Sequence, residues 1–301
     1  MEKQKFIMII SVYCLVVMIW STTPLAIKWS GEDVGFLFGI SARMLIGAIL
    51  ALLLVLMVYR KLCLHRHAVY AYVASGMAIY GAMLPVYWGA QYIPSGVVSV
   101  IFGLTPIITA VLAARFLFEQ SLTLLKLMGA LLGVIGLVIM FIKQWSLGEK
   151  ALLGAMAVLL SVILHSMSSV WIKYLKPDVP ALMITCGGLL FSLPLFALTY
   201  LVLGAELPVT IPLRALWSII YLGVMGSVVG FVGYYFILVH LPASNVALIT
   251  LITPVVALWI GSVFNFEVID LSIWSGSGLV LSGLVMHQWG ALILRSVWRV
   301  K

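Results

Sequence analysis

Charge is what this sequence has least of. Of 301 residues, 17 are Lys or Arg and 9 are Asp or Glu, so 9% are charged while 64% are hydrophobic. A soluble domain carries roughly 25% charged and about 45–50% apolar residues. A water-facing surface cannot be assembled from so small a supply, which excludes a soluble globular protein. Cysteine is scarce as well: Cys14, Cys63 and Cys186 lie far apart and match no metal or redox spacing. Asp and Glu are absent from the centre of every long apolar run, so the carboxylate relay typical of pumps is not visible. There is no Walker loop, no His-Glu-x-x-His and no Gly-x-Ser-x-Gly. No catalytic residue, metal or cofactor is therefore expected, and ATP is not the drive.

What is abundant is apolar sequence, with a mean hydropathy of +1.23. A helix crosses about 30 Å of hydrocarbon with about 20 apolar residues. Cutting at charge, proline and glycine clusters gives runs of that size near 6–28, 36–59, 68–90, 95–118, 123–142, 151–173, 180–203, 213–239, 243–265 and 271–291. The expectation is an all-α integral membrane protein of ten transmembrane helices with short connections. The start, "MEKQKFIMIISVYCLVVMIW", has the basic head and apolar stretch of a signal peptide. No Ala-x-Ala site follows and the apolar stretch is long, so it reads as an uncleaved first span.

The net charge of +8 would suggest nucleic acid on a soluble protein. Here the basic residues fall between apolar runs, so the anionic partner is the phospholipid surface and not nucleic acid. With the N-terminus inside, the inner segments hold Lys3, Lys5, Arg60, Lys61, Arg66, Arg115, Lys126, Lys173, Lys176, Arg295, Arg299 and Lys301. The outer segments hold Lys28, Arg43, Lys143, Lys150 and Arg214. That split of twelve to five accounts for all 17 basic residues and places both termini in the cytoplasm, in a cell (inner or plasma) membrane.

The chain repeats itself. "YIPSGVVSVIFGLTPIITAVLAARFLFE" (92–119) matches "HLPASNVALITLITPVVALWIGSVFNFE" (240–267) at a constant shift of 148. Pro94 falls on Pro242, Thr105 on Thr253, Pro106 on Pro254 and Glu119 on Glu267. Gly129 and Gly136 fall on Gly276 and Gly283, and "AIKW" (26–29) lies over "WIKY" (171–174). Two five-span units follow, 1–145 and 150–295. Two copies of an odd-span unit in one chain cross in opposite directions. Such inverted-topology repeats build many secondary transporters, with the substrate site near the midplane between them.

The doubled pattern, a span with Pro, small residues, Thr-Pro and a closing Glu, then a glycine-spaced span, resembles the EamA-like family of the drug/metabolite transporter superfamily. The resemblance covers nearly the whole chain in two copies. It implies ten spans with both termini inside, and a secondary carrier, often an exporter of amino acids, other metabolites or toxic small molecules.

Candidate residues come from depth and polarity. Pro106 and Pro254 each lack an N–H near mid-span, which points to hinge or gating positions; the neighbouring Thr105 and Thr253 hydroxyls can help resatisfy the freed backbone. Glu119 and Glu267 close their spans and read as structural carboxylates beside a helix N-terminus. Ser121, Thr123, Asp270 and Ser272 supply capping groups for spans five and ten. Gly129 and Gly136 read as close-packing positions. Span one "WSTTPLAIKW" and span six "HSMSSVWIKY" align at a shift of 145, pairing Trp20 with His165 and Thr23 with Ser168. An ionisable side chain inside a membrane marks function by default, which singles out His165. Trp20, Thr23, Tyr80, Tyr87, His165, Ser168 and Tyr234 form the expected substrate-binding set.

No deep Lys–Arg cluster is present to neutralise a phosphate, since Lys28 and Arg43 sit toward the outer side and Lys173 toward the inner. A nearly neutral, aromatic and hydroxyl-dotted cavity suits a small amphipathic metabolite such as an amino acid. The expected function is secondary active export by alternating access, by a monomer or homodimer, with a coupling proton or ion left open. The alternatives are a membrane-embedded enzyme lacking a visible motif, a scaffold without transport, or a nucleotide-sugar, sugar-phosphate or drug carrier.

Overall fold

The computed structural model describes residues 2–117, 123–146, 148–246, 249–268 and 270–298. Every regular element among them is helical, as expected for a chain in lipid, where a helix satisfies its own backbone. In chain order these are α1 (Glu2–Ser30), α2 (Phe36–Tyr59), α3 (Arg66–Gly89), α4 (Ser95–Phe116), α5 (Leu124–Ser146), α6 (Glu149–Leu175), α7 (Ala181–Val202), α8 (Leu213–His240), α9 (Ile249–Phe264) and α10 (Leu271–Trp298). A single turn, Ala243–Val246, precedes α9. Among the described residues, seven segments are long and apolar enough to cross a bilayer, against the ten expected. The other three, Leu124–Met140, Thr253–Phe264 and Leu271–Met286, are shorter apolar helices.

The helices pack in matched pairs. α1 lies against α8 and α9, as α6 lies against α3 and α4; α2 meets α7, α4 meets α9, and α5 meets α10. The α5–α10 contact is built on glycine. A Cβ on Gly136 would sit 2.6 Å from the Gly276 carbonyl oxygen, and one on Gly276 would sit 2.7 Å from the Gly136 oxygen. Gly283 lies equally close to the Gly129 backbone. Backbones that approach this closely leave no room for a side chain. The crossing is reciprocal, since Gly129 aligns with Gly276 and Gly136 with Gly283, yet each meets the other's counterpart.

Two helices change pitch midway. α3 is π-helical over Met77–Ala82 and α8 over Leu222–Gly230, at corresponding places in the two halves. A π turn shifts the hydrogen-bond ladder by one residue and is common beside functional sites. α6 braces the first one: Ser168 Oγ donates to the Ala74 carbonyl and Ser161 Oγ to the Ala82 carbonyl, both at 2.6 Å. Seven residues make two helical turns, so the two hydroxyls share a face and grip both ends of the π segment.

α4 is interrupted at Gly103 and Leu104, between Ser95–Phe102 and Thr105–Phe116. Pro106 therefore lies in the first turn of the second piece, where its missing N–H costs nothing. The Phe102 carbonyl, whose partner four residues on would be Pro106, instead accepts the Thr105 hydroxyl at 2.6 Å. In the other half, Pro254 sits inside the uninterrupted α9, and Gly103 of the break packs beside it.

Two substitutions test this packing. Gly136→Leu should lower stability by about 1–3 kcal/mol or more, while Gly278→Ala, with open space around its Cβ position, should change little. Replacing Ser161 and Ser168 together by Ala should cost about 1–3 kcal/mol. Thermal unfolding of the purified protein in detergent reads both effects.

Candidate functional site

The wide turns and the break in α4 surround one internal space. A cavity of about 70 Å³ lies between α1 to α4 of the first half and α6, α8 and α9 of the second. Met83 and Val86, just past the first π segment, and Gly226 and Phe231, within and just past the second, all line it. Phe102, at the end of the first piece of α4, faces it too. Irregular backbone in a membrane is tolerated where it is buried in protein or borders a cavity, and both conditions hold here.

Trp20 and Thr23 of α1 and His165 of α6 line this cavity. Tyr234 of α8 stands in contact, its ring centroid 5.0 Å from Trp20 and 5.2 Å from His165, while Trp20 and His165 are 5.8 Å apart. Residues that align between the halves, Trp20 and His165, thus meet at its wall. Ser169 and Tyr234 share a hydroxyl hydrogen bond, and Ser169 Oγ donates to the His165 carbonyl. His165 is buried, and its Nδ1 has no hydrogen-bond partner among the described residues.

Tyr234 stands behind the lining side chains, and the other three members of the expected binding set are not among them either. Ser168 is committed to the π-turn brace. Tyr80 turns toward α7, stacking edge-on against Phe196 at 5.0 Å and sharing a 2.6 Å hydrogen bond with Thr199. Tyr87 is fully buried and accepts a hydrogen bond from Arg43 Nη1 at 3.2 Å.

Arg43 is what the sequence reading overlooked. Expected toward the outer side, it lies within α2, is only 2% exposed and lines the cavity. An arginine well inside an otherwise uncharged apolar helix was the available signal. Ser99, Phe102 and Thr253 also line the cavity, Thr253 beside Pro254.

A polar cluster ties the helices together at the end of the molecule where α4 begins. Glu267, following α9, accepts hydrogen bonds from Ser95 N at 3.0 Å, Ser95 Oγ at 2.9 Å and Asn265 Nδ2 at 2.9 Å, and pairs with Lys28 at 3.4 Å. The helix N-terminus that Glu267 meets is thus that of α4. The first turn of α10 is bound by Asp270, whose Oδ1 accepts from Ile273 N, and the first turn of α5 by Thr123, whose Oγ1 accepts from Lys126 N. Glu119 and Ser121 lie outside the described residues. Lys28 also reaches the Ile93 carbonyl at 3.5 Å, just as Lys173 of α6 reaches the Leu241 carbonyl at 2.7 Å. Both lysines and both carbonyls align between the two halves, and each carbonyl immediately precedes a proline.

Among the described residues no three His, Cys, Asp or Glu side chains gather as a metal site. The cavity wall offers one fixed cation, one imidazole, hydroxyls and aromatic faces, a set suited to binding.

Known proteins give the same picture. The EamA-like transporter family matches the chain twice, over residues 7–142 and 152–287. An uncharacterized transporter of Bacillus subtilis, YoaV, is 24% identical over 90% of this chain and 94% of its own. An uncharacterized transporter of Archaeoglobus fulgidus is 27% identical over 91% and 96%. A probable terminal-alkyne amino-acid exporter of Streptantibioticus cattleyicolor is 26% identical over 71% and 70%. A crystal structure superposes with a TM-score of 0.67 at 18% identity, covering 94% of this chain and 97% of that one, which shows the fold alone. Two matched copies spanning nearly the full length, over an all-helical, multi-pass membrane architecture, establish that this chain belongs to the EamA-like transporter family.

Proposed function

We propose that this protein is a secondary carrier that exports a small amphipathic metabolite, such as an amino acid, by alternating access. It does so with two five-helix repeats of opposite orientation, residues 1–145 and 150–295, making ten crossings with both termini in the cytoplasm. The observation that carries this reading is a single cavity lined from both halves, where the aligned residues Trp20 and His165 touch. The reciprocal glycine crossing, the paired π turns and the duplicated lysine–carbonyl bonds support the inverted relationship. The amino-acid assignment draws on the aromatic, mostly uncharged wall and on the relative named a probable amino-acid exporter.

As it stands, the cavity of about 70 Å³ has room for only a few waters, whereas small-molecule pockets run to roughly 300–1,000 Å³. A cargo therefore enters only when helices part. The Glu267 cluster closes one end, and Lys173 binds α6 to the end of α8 at the other. In this reading the break at Gly103–Leu104, against Pro254, is where the wall bends, and Pro106 and Pro254 are its hinges.

Counterflow of a panel of labelled amino acids into proteoliposomes tests the assignment. His165→Ala should cut flux at least tenfold while the protein still reaches the membrane; wild-type flux in that variant would remove His165 from the path. Pro106→Ala and Pro254→Ala should each change flux with folded yield retained. Unchanged rates in both would eliminate the hinge.

A further inference from the structure

Arg43 has a chemistry that the packing around it does not complete. Its Nε donates to Ser227 Oγ at 2.9 Å and its Nη1 to Tyr87 Oη at 3.2 Å. Both acceptors are neutral hydroxyls, and among the described residues Arg43 makes no ion pair. A guanidinium stays charged at any physiological pH, and a buried charge normally demands an opposite one. Among the described residues no carboxylate lines the cavity either. The two hydroxyls fix the plane of the fork without neutralising it. Its remaining edge, Nη2, lies against Gly226 of the second π segment, 2.9 Å from where a Cβ would stand; that glycine is itself part of the cavity wall.

The rest of the fold does not ask for this cation. The repeat places Arg43 opposite residues 188–191, Gly188, Leu189, Leu190 and Phe191, none of them charged. Where Arg43 reaches toward α8, Gly188 packs directly on Ser75 of α3. A device present in one half and replaced by glycine packing in the other is not part of the architecture the halves share.

We infer that Arg43 is the anion-binding group of the cavity and that the ligand it takes is a carboxylate with an apolar or aromatic body. The planar fork matches a carboxylate, with Ser99 and Thr253 offering hydroxyls and Trp20, Phe102 and Phe231 offering apolar surface around the same space. A single guanidinium is one positive charge for one negative charge, which fits a carboxylate better than a phosphate dianion. The inference deepens the carrier reading and rests on its cavity, but binding can be measured without flux.

The experiment uses the purified full-length protein in detergent, titrated with 3-phenylpropionate, phenylalanine, 3-phenylpropionamide, phenethylamine and phenyl phosphate, following thermal unfolding and calorimetric heat. The two carboxylates should bind, and the amide and amine should bind at least tenfold more weakly. Arg43→Gln should weaken carboxylate binding by at least about 30-fold. Arg43→Lys, which keeps the charge but loses the fork, should fold and bind roughly tenfold more weakly than wild type. The inference is overturned by equal binding of acid and amide, by wild-type affinity in either variant, by tighter binding of phenyl phosphate, or by no response to any carboxylate. Arg43-dependent binding without flux in liposomes would count against the carrier and leave this assignment standing. Flux indifferent to Arg43 would do the reverse.

Discussion

Inside hydrocarbon a backbone carbonyl has no water to turn to, and each one left unsatisfied costs several kcal/mol. This constraint governs where the helices may depart from regularity. The carbonyls of Ala74 and Ala82, at the ends of the first π segment, receive hydroxyls from Ser168 and Ser161; the carbonyl of Phe102, at the break in α4, receives one from Thr105. In each case a short polar side chain stands in an apolar run because a distorted backbone needs it. The distortions lie beside the cavity, which Met83, Phe102 and Gly226 line.

Charge obeys the same logic with larger stakes. At one end Glu267 and Lys28 neutralise each other and lean on backbone groups. Arg43 has only hydroxyls and a tyrosine ring beneath it, the guanidinium 5.8 Å from the Tyr87 centroid. Two of its donors are used on hydroxyls and the rest of the fork borders the cavity, where the anion inferred above would meet it. The cost of holding it open is of order several kcal/mol.

Much of the fold was legible because hydropathy and repetition are properties of the chain itself. Apolar runs located every long helix, and the doubled Thr-Pro segments located corresponding positions in the two halves. Depth could be read from distance along a run, which is how Trp20 and His165 were found. Direction could not. Several of these helices, α1, α2 and α7 among them, carry almost no amphipathic stripe that would mark an inward face. Tyr80 and Ser168 lie at suitable depths but turn toward other partners. The π turns left no trace either, since "MAIYGA" reads as ordinary apolar helix. Arg43 escaped because a lone charge in an apolar run gives its depth but not the direction its side chain takes.

The glycine crossing of α5 and α10 has a mechanical consequence. These two helices embrace each other, touch the remaining bundle much less and, among the described residues, give no side chain to the cavity. In the carrier proposed above they would stay still while the others tilt, as a keel stays still beneath a hull. Freed from any duty to recognise cargo, that keel needs only its small residues kept in register. The surfaces that meet the solute can then change from one relative to the next without loosening the frame that carries them.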